Sequence, residues 1–92
     1  MLIEQRFDLI IYGKVQGVGF RYSVMLKAES LGIKGYVKNK PDGSVFVAVQ
    51  GAATAVDNFV NWCYQGPPAA DVSRVEKTSR SIEEFHECSV HY

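Results

Sequence analysis

Lys40-Pro41-Asp42-Gly43, set between an apolar run beginning at Ile33 and a second run from Ser44 to Gln50, constrains the fold more than any other feature of the chain. Proline presets φ for a turn, aspartate suits the next position, and glycine accepts a positive φ. In the second run Val45, Val47 and Val49 alternate with Ser44, Phe46 and Ala48, the period of a half-buried strand. Residues 33–38 and 44–50 are therefore expected to pair as a tight antiparallel hairpin.

Strand and helix patterns flank this hairpin on both sides. Phe7 to Tyr12 is rich in β-branched and aromatic residues and is bounded by Gly13, so it is predicted as a central strand. Phe20, Val24, Ala28 and Leu31 recur at helical spacing and Gly32 supplies a stop, which predicts a helix of about three turns. Thr54 followed by Asp57 resembles a capping box, and Val56, Phe59, Val60 and Cys63 trace a second helical stripe that ends at Gly66-Pro67-Pro68. Val72 to Thr78 and Glu87 to Tyr92 complete the pattern as a fourth strand and a short terminal one, with the polar, unpatterned stretch Ser79 to Glu84 between them.

Strand, helix, strand, strand, helix, strand is the order of an α+β, ferredoxin-like βαββαβ sandwich. Two helices are then expected on one face of a mainly antiparallel sheet of four to five strands. At 92 residues the chain has room for one small core, so residues 1–92 are taken as a single domain.

Charge narrows the function classes. Ten Lys and Arg balance ten Asp and Glu, so attraction for an anion must come from a local arrangement, and non-specific nucleic-acid binding is disfavoured. RNA-recognition domains share this order of elements, but their basic-aromatic signature is absent and Phe46 stands as an isolated aromatic on its strand. No run approaches the roughly 18 apolar residues of a spanning helix. These features predict a soluble, cytoplasmic monomer with no nucleic-acid or membrane partner. His86 and His91 lie near Cys88, but alternation along a strand lets only half of such groups converge, so no metal site is expected.

The chemistry is concentrated in Gly13-Lys14-Val15-Gln16-Gly17-Val18-Gly19-Phe20-Arg21. Glycines after a strand let the backbone turn sharply and bring successive N–H groups to bear on one point, and the helix that follows adds unpaired donors and partial positive charge. Arg21 lies in the first helical turn, the unfavourable end of the macrodipole for a cation, at an expected cost of roughly 0.3–1 kcal/mol. A cation placed against the local rule points to an anion ligand, and a guanidinium fork suits phosphate oxygens. The bland alternative is an exposed arginine after a Gly-rich turn.

This loop, together with Gly35-Tyr36-Val37-Lys38-Asn39 and Asp42-Gly43-Ser44-Val45, closely resembles the acylphosphatase family, in its small bacterial or archaeal form. The likeness continues less sharply through Gly51, Trp62, Gly66-Pro67 and Val72. It implies a hydrolase that cleaves the carboxyl-phosphate bond of small acyl phosphates without metal or other cofactor. By the same resemblance, Val15, Gln16, Gly17, Val18, Gly19, Phe20 and Arg21 form the phosphate-binding cradle, while Arg21 and Asn39 are the catalytic residues, Asn39 holding the attacking water. Without the resemblance, Asn39 would be read as a residue entering the turn. Cys63 and Cys88 stand where the family usually carries larger apolar residues such as Leu and Phe, which suggests either weaker packing between the second helix and the last strand or a disulfide joining them. A phosphate-sensing or RNA-binding module without efficient turnover is the alternative function.

The residue types suit that reaction. The leaving group is a carboxylate whose conjugate acid has a pKa of roughly 4, so it departs unprotonated and needs no general acid. Charge spread over three equatorial oxygens can be met by backbone N–H groups and one arginine. An asparagine amide has no useful basicity but offers the acceptor and donors that orient a water, whose proton the substrate phosphate can take. Lys14, Lys38 and Lys40 could steer anions toward the loop, though ordinary solvated charge explains them as well. Tyr12, Phe20, Tyr36, Phe59 and Trp62 are expected in the core or on strand faces.

Overall fold

The computed structural model describes residues 3–84 and 88–91. Five strands form one sheet in the order β4-β1-β3-β2-β5, where β1 is Glu4–Lys14, β2 Lys34–Asn39, β3 Val45–Ala52, β4 Asp71–Ser79 and β5 Cys88–His91. Helix α1, Phe20–Leu31, joins β1 to β2, and α2, Ala53–Cys63, joins β3 to β4. β3 pairs antiparallel with both β1 and β2, β4 pairs antiparallel with β1, and β5 runs parallel to β2. The ferredoxin-like expectation is met, with the fifth strand added at the β2 edge.

One face of the sheet carries the core. Leu9, Ile11, Val37, Val45, Val47 and Val49 are fully buried or nearly so and meet Val24 and Ala28 of α1 and Val56, Phe59, Val60 and Cys63 of α2 in one cluster. Burial of such side chains contributes roughly 1.5–3 kcal/mol each before chain entropy is counted. β1 begins three residues earlier than the apolar pattern predicts. Arg6 and Asp8 face away from the helices, where a one-sided antiparallel sheet tolerates polar residues, so apolar patterning alone truncates the strand. Phe46 is not isolated on that open face: Tyr36 lies 5.7 Å from it between centroids and Lys38 Nζ 5.6 Å above its ring.

The capping box does not form. β3 runs straight into α2, whose N-terminal flank is Ala52 with no side-chain cap, and Thr54 lies inside the first turn. The start is fixed instead by the Ala53 N–H, which donates to the Ile3 carbonyl at 2.9 Å. Cys63 carries a free thiol buried within the α2 stripe, so the disulfide with Cys88 is not made. Topology accounts for this: α2 packs on β1 and β3, whereas β5 lies beyond β2 under α1. Burial pushes the Cys63 thiol far up, which keeps it protonated and unreactive. The side chains of Cys88 and His91, and all of His86, fall outside the described residues.

Ser79 to Glu84 has no strand pattern because much of it crosses from one edge of the sheet toward the other. Arg6, buried on the open face, donates to the Ser81 carbonyl at 3.3 Å and pairs with Glu83 at 3.1 Å and Asp8 at 3.2 Å. Asp8 also accepts from Arg80 at 2.8 Å. Gln50 clasps the backbone of Glu83 from both sides, accepting from its N–H and donating to its carbonyl. Polar side chains thus hold this strap in place of a ladder.

Candidate active site

At the end of the sheet where β1 and β2 finish, the chain leaves Lys14 and re-enters helix at Phe20. Two core anchors bracket the connection: Val15 is buried, and the buried Phe20 ring sits 5.9 Å from Trp62 between centroids. Between them Gly17 and Gly19 take φ of 75° and 74°, the left-handed region, and a Cβ at either would meet open space. Glycine is required there for its conformation, not for room. Gly13 has a different task, since a Cβ on it would strike the Asp71 carbonyl oxygen at 2.1 Å, where β1 and β4 shift register. Of the three loop glycines, two therefore belong to the cradle and one to the sheet.

Gly19 is also the N-terminal flank of α1, which has no side-chain cap and no acidic residue in its first turn. The N–H groups that begin a helix have no acceptor within it, so this terminus presents donors and partial positive charge outward. Arg21 stands in the same turn. On β2, Val37 is buried beneath α1, and Asn39, two residues on, shares its face. A cavity of about 350 Å³ results, lined by Val15, Gly17, Gly19, Phe20, Arg21, Tyr22, Met25 and Asn39.

Residues 7–89 match the acylphosphatase family, nine-tenths of the chain. The chain belongs to that family. It is 53% identical over 76 residues to an acylphosphatase of Acaryochloris marina, a match covering 83% of this chain and 82% of that one. The crystal structure of acylphosphatase from Bacillus subtilis superposes with a TM-score of 0.92 at 37% identity, over 96% of this chain and 99% of that one. An acylphosphatase from Coxiella burnetii gives a TM-score of 0.92 at 36% identity, over 96% and 93%.

The structure brings most of the expected site residues of this acylphosphatase-family domain together and redistributes two. Val15, Gly17, Gly19, Phe20, Arg21 and Asn39 line the cavity, whereas Gln16 and Val18 stand in the loop outside its wall. Val18 packs against the core. Gln16 reaches across to the hairpin, its Nε2 donating to the Lys40 carbonyl at 2.7 Å and to the Ser44 carbonyl at 2.8 Å. Lys38 points to the opposite face of the sheet, over Phe46, and neither Lys14 nor Lys40 is in the wall. Tyr22 and Met25 line the cavity without having been singled out in the sequence. The signal was available in their spacing, three residues apart and one residue beyond Arg21.

The hairpin under Asn39 is braced from within. The Gly43 N–H donates to the Lys40 carbonyl at 3.1 Å, closing the expected turn, and the Asp42 carboxylate accepts from both the N–H and the hydroxyl of Ser44. These bonds, the hydroxyl's first, with a smaller contribution from Lys40, hold the Asp42 pKa below its ordinary value against a weak opposing effect of desolvation. A depressed carboxylate pKa stabilises the fold fully above the ordinary aspartate range, and that contribution is lost as pH falls through the lower folded value. Protonating Asp42 in acid therefore weakens its bonds to Ser44.

Gln16 ties the glycine loop to this tip, and if Asn39 directs a water there, Gln16 is its positioning residue. Gln16→Ala is expected to lower kcat by about tenfold, because small displacements of a positioned group cost up to about a hundredfold. The inhibition constant of inorganic phosphate should stay within about twofold, since Arg21 and the helix terminus are untouched. Steady-state kinetics with phosphate as competitor reads both.

Proposed function

We propose that the chain hydrolyses small acyl phosphates to a carboxylate and inorganic phosphate. The observation that carries this reading is the convergence in one cavity of Arg21, the uncapped α1 terminus at Gly19 and Asn39. The phosphoryl group sits in the loop, its oxygens facing the backbone N–H groups from Val15 to Arg21 and the Arg21 guanidinium. Asn39 orients a water in line with the phosphorus and opposite the bridging oxygen. As the new P–O bond forms, the bond from phosphorus to the carboxylate oxygen breaks, the electron pair leaves with the carboxylate, and the water's proton passes to a phosphate oxygen.

Nothing in this sequence calls on a general acid, because the leaving carboxylate is stable unprotonated. Preorganised donors carry the electrostatic work, and the positioned water supplies the nucleophile. The family and its relatives' names support the reaction class, and the geometry supports the roles of the two residues. The test is phosphate release from benzoyl phosphate by the purified protein, with and without a chelating agent. Turnover above the uncatalysed rate, equal in both arms, is expected; no release, or release abolished by the chelator, overturns the reading.

A further inference from the structure

Phe20 opens α1, so its backbone belongs to the turn that borders the cavity while its side chain is buried in the core. Trp62 of α2 meets that ring at 5.9 Å between centroids and 45°, and meets the fully buried Phe59 ring at 6.0 Å and 42°. Both distances fall in the favoured range for aromatic pairs, roughly 4.5–7 Å. Trp62 itself is half-buried and borders a second cavity at the end of α2.

Gly66 closes on the same ring from the segment after that helix. The N–H groups of Gln65 and Gly66 both donate to the Trp62 carbonyl, at 3.0 Å and 2.8 Å, and Gly66 takes a φ of 70°, which brings the chain back against Phe20. A Cβ on Gly66 would lie 2.7 Å from Phe20 Cε2. Indole and glycine together make one seat for the side chain that begins the cradle helix.

We infer that Trp62 and Gly66 are positioning residues: they seat the Phe20 ring and so fix the first turn of α1, which carries the cradle N–H groups and Arg21. Their bearing on phosphate affinity rests on the reading of the cavity as a phosphate site. Neither residue lies in the cavity wall, so any effect on binding passes through Phe20. A close-packed interior transmits strain, and a buried ring that is displaced carries its own backbone with it. On the proposed mechanism Gln16 serves Asn39 by way of the hairpin, whereas Trp62 and Gly66 serve the anion site by way of α1.

The test is calorimetric binding of inorganic phosphate by wild type, Trp62→Ala, Trp62→Phe, Gly66→Ala and Gly32→Ala, with urea unfolding of each. Gly32 is the matched control: it also takes a φ of 70°, so alanine there meets the same backbone strain, but its Cβ would enter open space. Trp62→Ala and Gly66→Ala are expected to weaken phosphate binding about tenfold, the effect of a small displacement on positioned groups. Trp62→Phe should keep most of the affinity and Gly32→Ala all of it, although Gly32→Ala also loses stability. Unchanged affinity in folded Trp62→Ala overturns the seat, as does equal weakening in Gly32→Ala.

Hydrogen exchange separates this from the parent reading. The Ser23 N–H donates to the Gly19 carbonyl at 3.0 Å, across the cradle turn. Its exchange should quicken about tenfold relative to that of Leu26 in Trp62→Ala and Gly66→Ala, and not in Gly32→Ala. If wild type neither binds phosphate nor turns over benzoyl phosphate, the phosphate reading fails while that exchange pattern still upholds the seat; Ser23 exchange unchanged in Trp62→Ala overturns it.

Discussion

Arg21→Gln is expected to lower kcat/KM for benzoyl phosphate by about 10³-fold, some 4 kcal/mol of transition-state stabilisation. Inhibition by inorganic phosphate should weaken as well, because on the proposed mechanism the guanidinium meets the same oxygens in the bound ground state. The substitution keeps a polar side chain but shortens it and removes the charge and the paired donors. Arg21→Lys should recover little, since a point charge on a flexible stem does not reproduce a planar fork. Circular dichroism should show the fold intact, as Arg21 lies outside the buried cluster. Equal activity in wild type and Arg21→Gln would remove the arginine from the chemistry.

Asn39→Ala is expected to give the opposite split. kcat should fall by at least about a hundredfold with the phosphate inhibition constant within about threefold, because on the proposed mechanism the amide positions the nucleophile and does not hold the anion. Asn39→Asp provides the sharper comparison: it preserves shape but sets a carboxylate against an incoming phosphate, so both kcat and phosphate binding should suffer. If Asn39→Ala retained near-normal kcat, the water would have to be placed by something else in the wall. Measured together, the Arg21 and Asn39 variants distinguish gripping the phosphoryl group from aiming at it.

Much of this site could be read from the sequence, and the reasons are local. Gly17, Gly19 and Arg21 lie within five residues, so turn chemistry and helix electrostatics announce them without knowledge of the fold. Asn39 was legible through family resemblance alone, because its use depends on β2 ending beside a loop more than twenty residues away. Gln16 is assigned to the phosphate cradle through its backbone, and its side chain also bridges to the hairpin; a contact spanning 24 residues leaves no periodic trace. Tyr22 and Met25 were passed over because an exposed aromatic in a helix looks like an ordinary surface residue until a cavity is seen beside it.

The fold shows the same division. Strands and helices with one apolar face were found nearly in full, while errors fell where tertiary contacts replaced local signals. The predicted cap at Thr54 gave way to a backbone bond from Ala53 to Ile3, since a strand that flows into a helix needs no separate starting signal. The cysteine pairing rests on size alone, and the fold sets α2, which carries Cys63, over β1 and β3, while β5, which begins at Cys88, lies under α1. The segment Ser79 to Glu84 looks featureless because past Arg80 its partners are side chains of β1 and β3.

That polar clasp sits at the far rim of the sheet from the cavity. Arg6 and Lys14 lie eight positions apart along β1, roughly 26 Å at about 3.3 Å per residue, well beyond the 8–10 Å over which salt lets charges sense one another. Robustness and reactivity are accordingly housed at opposite poles of one small molecule. Selection, or an engineer, can harden the pole around Arg6, Asp8 and Gln50 for heat or salinity while leaving the reacting pole as it is.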